Sequence, residues 1–156
     1  MGELDEPGMR LIAQCYQESR LDANAYNERS GAAGECQFMP KTWNDCMKAQ
    51  NLRNVSRFSR RHNIKCAARH MRQLRVFWSS PRPILERWRL QVASYNAGQG
   101  RVLKAQTLAG GALLWRDIAP SMVNVTGPDN SRETLGYVAS IEKWFALLQI
   151  EEEHHG

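Results

Sequence analysis

Apolar side chains recur at the three- and four-residue spacing of an α-helix in five segments of this chain, whereas the alternation typical of a β-strand is weak. The clearest segment runs from Tyr137 to Leu148. Prolines and glycines separate the segments, because neither residue continues a helix well. The predicted helices cover about residues 9–20, 40–50, 62–78, 84–97 and 130–148. This pattern predicts a mostly α-helical fold.

The length of the chain limits the number of domains. With 156 residues, of which 42% are hydrophobic and 24% charged, it has the size and composition of one globular domain. We expect a single domain over residues 1–150 and a polar tail over residues 151–156. The composition excludes an intrinsically disordered chain, and four cysteines are too few for a disulfide-dense miniprotein.

Positive charge is concentrated in the middle third of the sequence. Residues 51–104 hold 13 Lys and Arg but only one acid, Glu86, whereas residues 1–50 and 105–156 are each net negative. Three interpretations stay open: a solvated helix face, a surface that approaches an anionic cell envelope, and a nucleic-acid surface. No nucleic-acid motif accompanies the basic residues, so we expect no specific nucleic-acid partner.

Membrane and export signals are absent from the sequence given. No stretch reaches the roughly 18–20 apolar residues of a transmembrane helix, and the first residues lack the basic and apolar regions of a signal peptide. We therefore predict no transmembrane segment and no signal peptide in this chain.

Four strings place carboxylates, amides and glycines in a defined order. The first is Glu18-Ser19 followed by Ser30-Gly-Ala-Ala-Gly34-Glu-Cys-Gln37-Phe-Met-Pro40-Lys-Thr42, and the second runs from Asn63-Ile64 to Leu74. The third is Ala93-Ser-Tyr95-Asn96-Ala97-Gly98, and the fourth is Arg132-Glu133-Thr134-Leu-Gly-Tyr137-Val138. In this order they resemble the soluble lytic transglycosylase (SLT) family, bacterial and phage enzymes of lysozyme-like fold that cleave peptidoglycan. The family shows a helix-ending Glu-Ser, Gly-Leu-Met-Gln before Pro-x-Thr, Asn-Ile in a middle helix, Ala-Tyr-Asn-Ala-Gly, and Glu-Thr-Arg-x-Tyr-Val.

The resemblance covers about residues 9–145 and implies a fold for them. It implies a mostly α, α+β lysozyme-like fold: a single helical domain with a short β-hairpin near residues 22–39, beside the active-site cleft. It also implies action in the bacterial periplasm or cell wall, and a phage endolysin or virion-associated enzyme would have this form. We expect a monomer.

Glu18 is the predicted acid and base of the reaction. Cleavage of a glycosidic bond needs a proton donor at the leaving oxygen, and a carboxyl group serves near neutral pH when apolar surroundings raise its pKa. In the family, this glutamate protonates the bond between N-acetylmuramic acid and N-acetylglucosamine. It then deprotonates the 6-hydroxyl of the same muramic acid, which closes on C1 and leaves a 1,6-anhydro end. Tyr137 resembles the family tyrosine that orients this carboxyl group.

A hydrolytic muramidase of lysozyme type is the alternative, and it needs a second carboxylate. The candidates are Asp22, four residues after Glu18, and Glu35, which stands where the family has Leu. A further alternative is a non-catalytic protein on the same fold that binds the wall or an anionic surface.

The remaining site residues follow from the family strings. Amides suit the N-acetyl and hydroxyl groups of sugars, and glycines allow close approach or a positive φ. The predicted substrate-binding residues are Ser19, Ser30, Gly34, Gln37, Tyr95 and Asn96.

The cysteines do not form a metal motif. Cys15, Cys36, Cys46 and Cys66 lack Cys-x-x-Cys spacing, so we expect no metal and no cofactor. Cys15 and Cys36 lie beside Glu18 and Gln37 and would be near each other at the cleft. Four cysteines allow three pairings if they are oxidised, but we expect free, mostly buried thiols.

Overall fold

The structure, a computed structural model, describes residues 6–155. These residues form two compact units, each treated separately below. Unit 1 contains the described residues up to Arg69 together with those from Ile141 onward, and unit 2 is His70–Ser140.

The described residues are mostly helical, as the sequence predicts. The helices are α1 (Glu6–Ser19), α2 (Pro40–Ala49), α3 (Arg60–Phe77), α4 (Ile84–Ala97), α5 (Gln99–Leu108), α6 (Trp115–Ile118), α7 (Val123–Thr126) and α8 (Pro128–His155), with a 3-10 turn at Ala119–Ser121. The five predicted helices are confirmed as α1 to α4 and α8. The segment over residues 110–128 contains two single-turn helices and the 3-10 turn.

Helix α8 extends beyond its predicted end. Residues 151–155, predicted as a polar tail, are exposed but continue the helix to His155. The division into a 1–150 domain and a 151–156 tail stays a prediction. None of the helices within residues 6–155 combines the length and hydrophobicity needed to cross a bilayer.

Two disulfides cross-link unit 1, so the expectation of free thiols is wrong. Cys15 of α1 is bonded to Cys36, and Cys46 of α2 to Cys66 of α3, with Cα–Cα distances of 4.4 and 6.0 Å. All four cysteines belong to one buried cluster. The apolar members packed with them are Phe38, Trp43, Met47 and Ala67. The disulfides therefore tie α1, the following loop, α2 and α3 to one core.

The predicted hairpin is not formed: the stretch over residues 20–39 is a loop with isolated bridges. Ala33 pairs singly with Tyr26 and with Phe38. A ladder cannot extend because φ is positive at Gly31, Gly34 and Gln37, which turns the chain out of extended geometry. Backbone groups of this loop are bonded instead by side chains from residues 57–63, as described below.

Unit 2 is built around α4, which packs against α5 and α6. Trp78 and Trp88 are both buried. Glu86 is also buried: its carboxylate accepts hydrogen bonds from Arg89 Nη1 at 2.6 Å and from the backbone N–H of Trp115 at 2.7 Å. The single acid of the basic middle third thus stabilises the interior of this unit.

Candidate active site

Glu18 lies in the last turn of α1 and is half-buried. The helix ends one residue later, at Ser19, and the chain turns through positive φ at Arg20 and Leu21, 58° and 62°. Two consecutive non-glycine residues in this region cost about 1–2 kcal/mol each, so other contacts must hold the turn.

An aromatic pair beside the end of α1 supplies such contacts. The rings of Tyr16 and Trp144 meet edge to face, with centroids 4.9 Å apart. Trp144 Nε1 donates to Gln17 Oε1 at 2.8 Å. The guanidinium of Arg20 lies 4.7 Å from the Tyr16 ring and 4.9 Å from the Trp144 ring, a cation–π arrangement that fixes the turn after Glu18.

Ser19 connects the helix end to the loop. Its hydroxyl donates to the backbone carbonyl of Glu35 at 2.6 Å and accepts from the backbone N–H of Asp22 at 3.1 Å. The neighbouring disulfide, Cys15–Cys36, joins the same two segments. The backbone around Glu18 is therefore fixed from both sides.

The carboxylate of Glu35 is engaged in an ion pair. Its side chain is 4% exposed, and Oε2 accepts a hydrogen bond from Arg60 Nε at 2.9 Å. Arg60 Nη2 also donates to the carbonyl of Leu21 at 3.3 Å. This network connects the start of α3 to the loop on both sides of Asp22.

Asp22 and Ser30 serve the local turns of the loop, and both are exposed. Asp22 Oδ1 accepts from the backbone N–H of Asn24 at 2.9 Å, the pattern of an Asx-turn. The Ser30 hydroxyl accepts from the backbone N–H of Ala32 at 3.2 Å.

Gly34 lies against Asn63, which is completely buried. Asn63 Oδ1 accepts from the Cys36 N–H at 2.8 Å, and Nδ2 donates to the carbonyls of Ala33 at 3.2 Å and Arg57 at 2.8 Å. A Cβ at Gly34, where φ is +84°, would overlap both Asn63 Nδ2 and the Arg57 carbonyl oxygen. Only glycine fits here, because the positive φ and the contact with Asn63 leave no room for a side chain.

Gln37 directs its amide nitrogen into the loop. Nε2 donates to the carbonyls of Gly34 at 3.0 Å and Ala25 at 3.4 Å, and the residue has φ of 53°. Arg57 Nη1 donates to the carbonyls of Gly31 at 2.6 Å and Phe38 at 2.9 Å. With its nitrogen so engaged, Gln37 has its amide oxygen left to receive a donor from a ligand.

The other predicted residues lie in unit 2. Tyr95 is half-buried on α4, with its ring 5.3 Å from the ring of His70, and burial lowers the pKa of the His70 imidazole. Asn96 Oδ1 accepts from Thr134 Oγ1 at 2.7 Å, which fixes the orientation of the amide. Tyr137 is 8% exposed on α8.

The structure thus collects Ser19, Asp22, Gly34, Glu35 and Gln37 around the end of α1 in unit 1. Tyr95, Asn96 and Tyr137 belong to unit 2. The expected hydrogen bond between Tyr137 and the Glu18 carboxyl stays a prediction.

Sequence reasoning missed four side chains that hold these residues: Arg57, Arg60, Asn63 and Thr134. Asn63 and Thr134 stand inside the family-like strings, so their positions were a usable signal. The two arginines carried no signal beyond their charge. Within residues 6–155, no three His, Cys, Asp or Glu side chains are grouped so that they could hold a metal ion.

Comparisons with known proteins address the family and the fold of this chain. A model of the transglycosylase SLT domain matches residues 1–117, which include the first three strings but not Tyr137. None of the curated proteins compared with the chain matches it. The X-ray structure of an inactive mutant of lytic transglycosylase Slt from Pseudomonas aeruginosa, in which a glutamate is replaced by glutamine, superposes with a TM-score of 0.66 at 21% identity.

That match covers 91% of this chain and 22% of the Pseudomonas chain, so this chain spans about a fifth of that protein's length. At this level of identity the superposition shows the fold, which is the lysozyme-like fold expected from the strings. The domain model covers well over half of the sequence, including Glu18 and the loop built around it. The chain is therefore a member of the transglycosylase SLT domain family.

Proposed function

We propose that this chain is a peptidoglycan lytic transglycosylase in which Glu18 is both acid and base. It cleaves the β-1,4 bond between N-acetylmuramic acid and N-acetylglucosamine and leaves 1,6-anhydromuramic acid ends. Membership of the family supports the reaction class. In the similar Pseudomonas structure, the mutant described as inactive carries a glutamate-to-glutamine change, which supports an essential glutamate carboxyl group.

One observation carries the assignment to Glu18: the helix end that presents it is fixed to the loop by two independent links. These are the Cys15–Cys36 disulfide and the hydrogen bond from Ser19 to the Glu35 carbonyl. A general acid must be held within hydrogen-bonding reach of the leaving oxygen, because misplacement costs rate steeply.

The reaction needs only one protein carboxyl group. Glu18, protonated, donates its proton to the oxygen of the glycosidic bond, and the N-acetylglucosamine side leaves with a new 4-hydroxyl group. The resulting carboxylate takes the proton of the muramic acid 6-hydroxyl as that oxygen bonds to C1. Glu18 is then protonated again, and no water is consumed.

Substrate binding is assigned to the polar residues of the family-like strings. Gln37 and Asn96 present amide oxygens or nitrogens to N-acetyl and hydroxyl groups, with Tyr95 beside Asn96 as an aromatic surface. Ser19 and Ser30 shape the loop, and Gly34 brings its backbone close. Tyr137 orients the Glu18 carboxyl through its hydroxyl group.

The anchored position of Glu35 argues against the hydrolytic alternative. A carboxylate that activates water must reach the solvent-filled space beside the sugar, but Glu35 is 4% exposed and bonded to Arg60. Asp22 is exposed and occupied in a local turn. Neither geometry favours the role of second carboxylate.

Solubilisation of purified sacculi by three matched variants tests the assignment. We expect Glu18→Gln to lower the rate at least about 100-fold, the usual contribution of a general acid. Glu28→Gln, on an exposed loop residue of the same unit, is expected to keep the wild-type rate. Glu35→Gln is expected to keep more than a tenth of the wild-type rate, measured on protein that circular dichroism shows to be folded.

Two results would overturn the proposal. Full activity of Glu18→Gln would remove Glu18 from the reaction, and loss of activity in folded Glu35→Gln equal to that of Glu18→Gln would favour the two-carboxylate muramidase. Binding of sacculi with no release of muropeptides by the wild-type protein would instead indicate a non-catalytic wall-binding protein. The site of action we propose is the bacterial cell wall, for a bacterial or a phage-encoded enzyme.

A further inference from the structure

The corner between α3 and α4 exposes large apolar side chains in a strongly basic segment. We define this corner as residues 72–87 of unit 2. Val76 and Ile84 are 70% and 69% exposed, and Phe77 and Leu85 are also exposed. The four side chains lie within ten residues of one another, on both sides of the turn that ends α3 and begins α4.

Hydrogen bonds of buried side chains hold the backbone of this corner in place. Trp78 is 2% exposed, and its Nε1 donates to Ser94 Oγ at 2.9 Å. Gln91 Nε2 donates to the carbonyl of Met71 at 2.9 Å. The exposed apolar side chains are therefore carried by a backbone fixed to the core of unit 2.

Four arginines of the corner, Arg72, Arg75, Arg82 and Arg87, alternate in sequence with the apolar side chains and form no ion pair with a carboxylate among residues 6–155. Arg72 and Arg75 are exposed and have no ion-pair partner among residues 6–155. Arg82 Nε donates to the carbonyl of Ser80 at 3.2 Å, and Arg87 Nε to the carbonyl of Trp78 at 3.1 Å.

Arg82 and Arg87 also repel each other. Burial, and then the charge of Arg87, lower the pKa of Arg82. Arg82 lies with its guanidinium 5.5 Å from the Trp78 ring, and its buried Nη1 has no hydrogen-bond partner among the described residues. Glu86, the one acid nearby in sequence, is bound to Arg89 and to the Trp115 N–H. Two guanidinium groups close enough to repel each other favour an anion beside them, because its charge offsets the repulsion.

We propose that the α3–α4 corner binds the surface of an anionic phospholipid bilayer. Arg82 and Arg87 contact lipid phosphates, Arg72 and Arg75 add attraction to the anionic surface, and Val76, Phe77, Ile84 and Leu85 enter the headgroup region. The apolar side chains select this partner over a charged polymer, because teichoic acid or nucleic acid would leave them in water. Joint apolar and basic character is typical of interfacial binding.

Flotation with lipid vesicles tests the proposal on the full chain. The probes are vesicles of phosphatidylcholine alone and vesicles containing a quarter phosphatidylglycerol. We expect binding only to the latter. Val76→Ser with Ile84→Ser should weaken it about tenfold, and Arg72→Gln with Arg75→Gln about 20-fold, near fivefold for each charge. Leu108→Ser with Lys104→Gln, exposed on α5, is the matched control and should bind as wild type.

Release of muropeptides from lipid-free sacculi separates this proposal from the enzymatic one. All these variants are expected to keep the wild-type rate there, since none alters the Glu18 loop. The proposal is overturned if wild-type protein fails to bind the anionic vesicles or binds both vesicle types equally. It is also overturned if the Val76 and Ile84 variant binds as wild type, which would indicate a purely electrostatic surface for anionic polymers.

Discussion

The end of α1 and the α3–α4 corner use their polar side chains in opposite ways. Around Glu18, the polar groups of Ser19, Glu35 and Gln37 are bonded to the protein, and a disulfide crosses the same segment. At the corner, Arg72 and Arg75 extend into solvent beside exposed apolar side chains. Hydrogen bonds within the protein hold the Glu18 helix end in place, whereas charged side chains without a protein partner remain available to bind an external ligand.

The loop after α1 should tolerate no added atom at Gly34. Gly34→Ala is expected to lower the free energy of unfolding by about 4 kcal/mol, the sum of a positive-φ penalty and overpacking against Asn63. Gly31→Ala is the control, because φ is also positive there but nothing lies within 4 Å of a new Cβ. It should cost only about 1 kcal/mol. Equal costs in urea denaturation would contradict the close packing of this loop.

The two disulfides should stabilise unit 1 equally but affect catalysis differently. Their sequence separations are 21 and 20 residues. Each should therefore raise the free energy of unfolding by about 3 kcal/mol, because it restricts the unfolded chain. Serine at Cys15 and Cys36 should also lower sacculus release about tenfold at 20 °C, because the end of α1 loses a link. Serine at Cys46 and Cys66 should leave the rate of folded protein unchanged. Identical rates of sacculus release for the two double variants would contradict the claim that only the Cys15–Cys36 disulfide positions the end of α1.

The smallest predicted effect belongs to unit 2 and depends on pH. Burial lowers the pKa of His70, so the unfolded chain binds a proton there more readily than the folded chain. Stability should therefore fall as pH drops through about 6.5, the unfolded value, and level off below the folded pKa. His70→Gln should flatten this part of the stability curve in thermal melts between pH 8 and 5. An unchanged slope would contradict the burial of this imidazole.

The spacing of apolar residues in the sequence is sufficient to predict the helices that have a long apolar stripe. α5 was missed because only Val102 and Ala105 of its ten residues are buried, which leaves too short a stripe to recognise. The hairpin that the family resemblance implies near residues 22–39 is not found, because Arg57 and Asn63, which are distant in sequence, bond the backbone of this loop.

Side-chain partners within the candidate site could not be predicted from sequence where the two residues lie far apart along the chain. The ion pair of Glu35 with Arg60, 25 residues away, is an example. The cysteine pairing could not be chosen from spacing alone, since four cysteines allow three connectivities. The family-like strings point to Glu18 at the end of α1 and to Gly34 in the following loop, and the catalytic role of Glu18 and the substrate-binding role of Gly34 stay proposals.

Digestion of purified sacculi in oxygen-18 water, with mass spectrometry of the released muropeptides, tests the central claim most directly. A lytic transglycosylase consumes no water, so the account predicts anhydromuramic acid ends that lack one water relative to reducing ends and carry no heavy oxygen. Glu18→Gln should release none of them. Reducing ends that carry heavy oxygen would contradict the account and identify a hydrolytic muramidase.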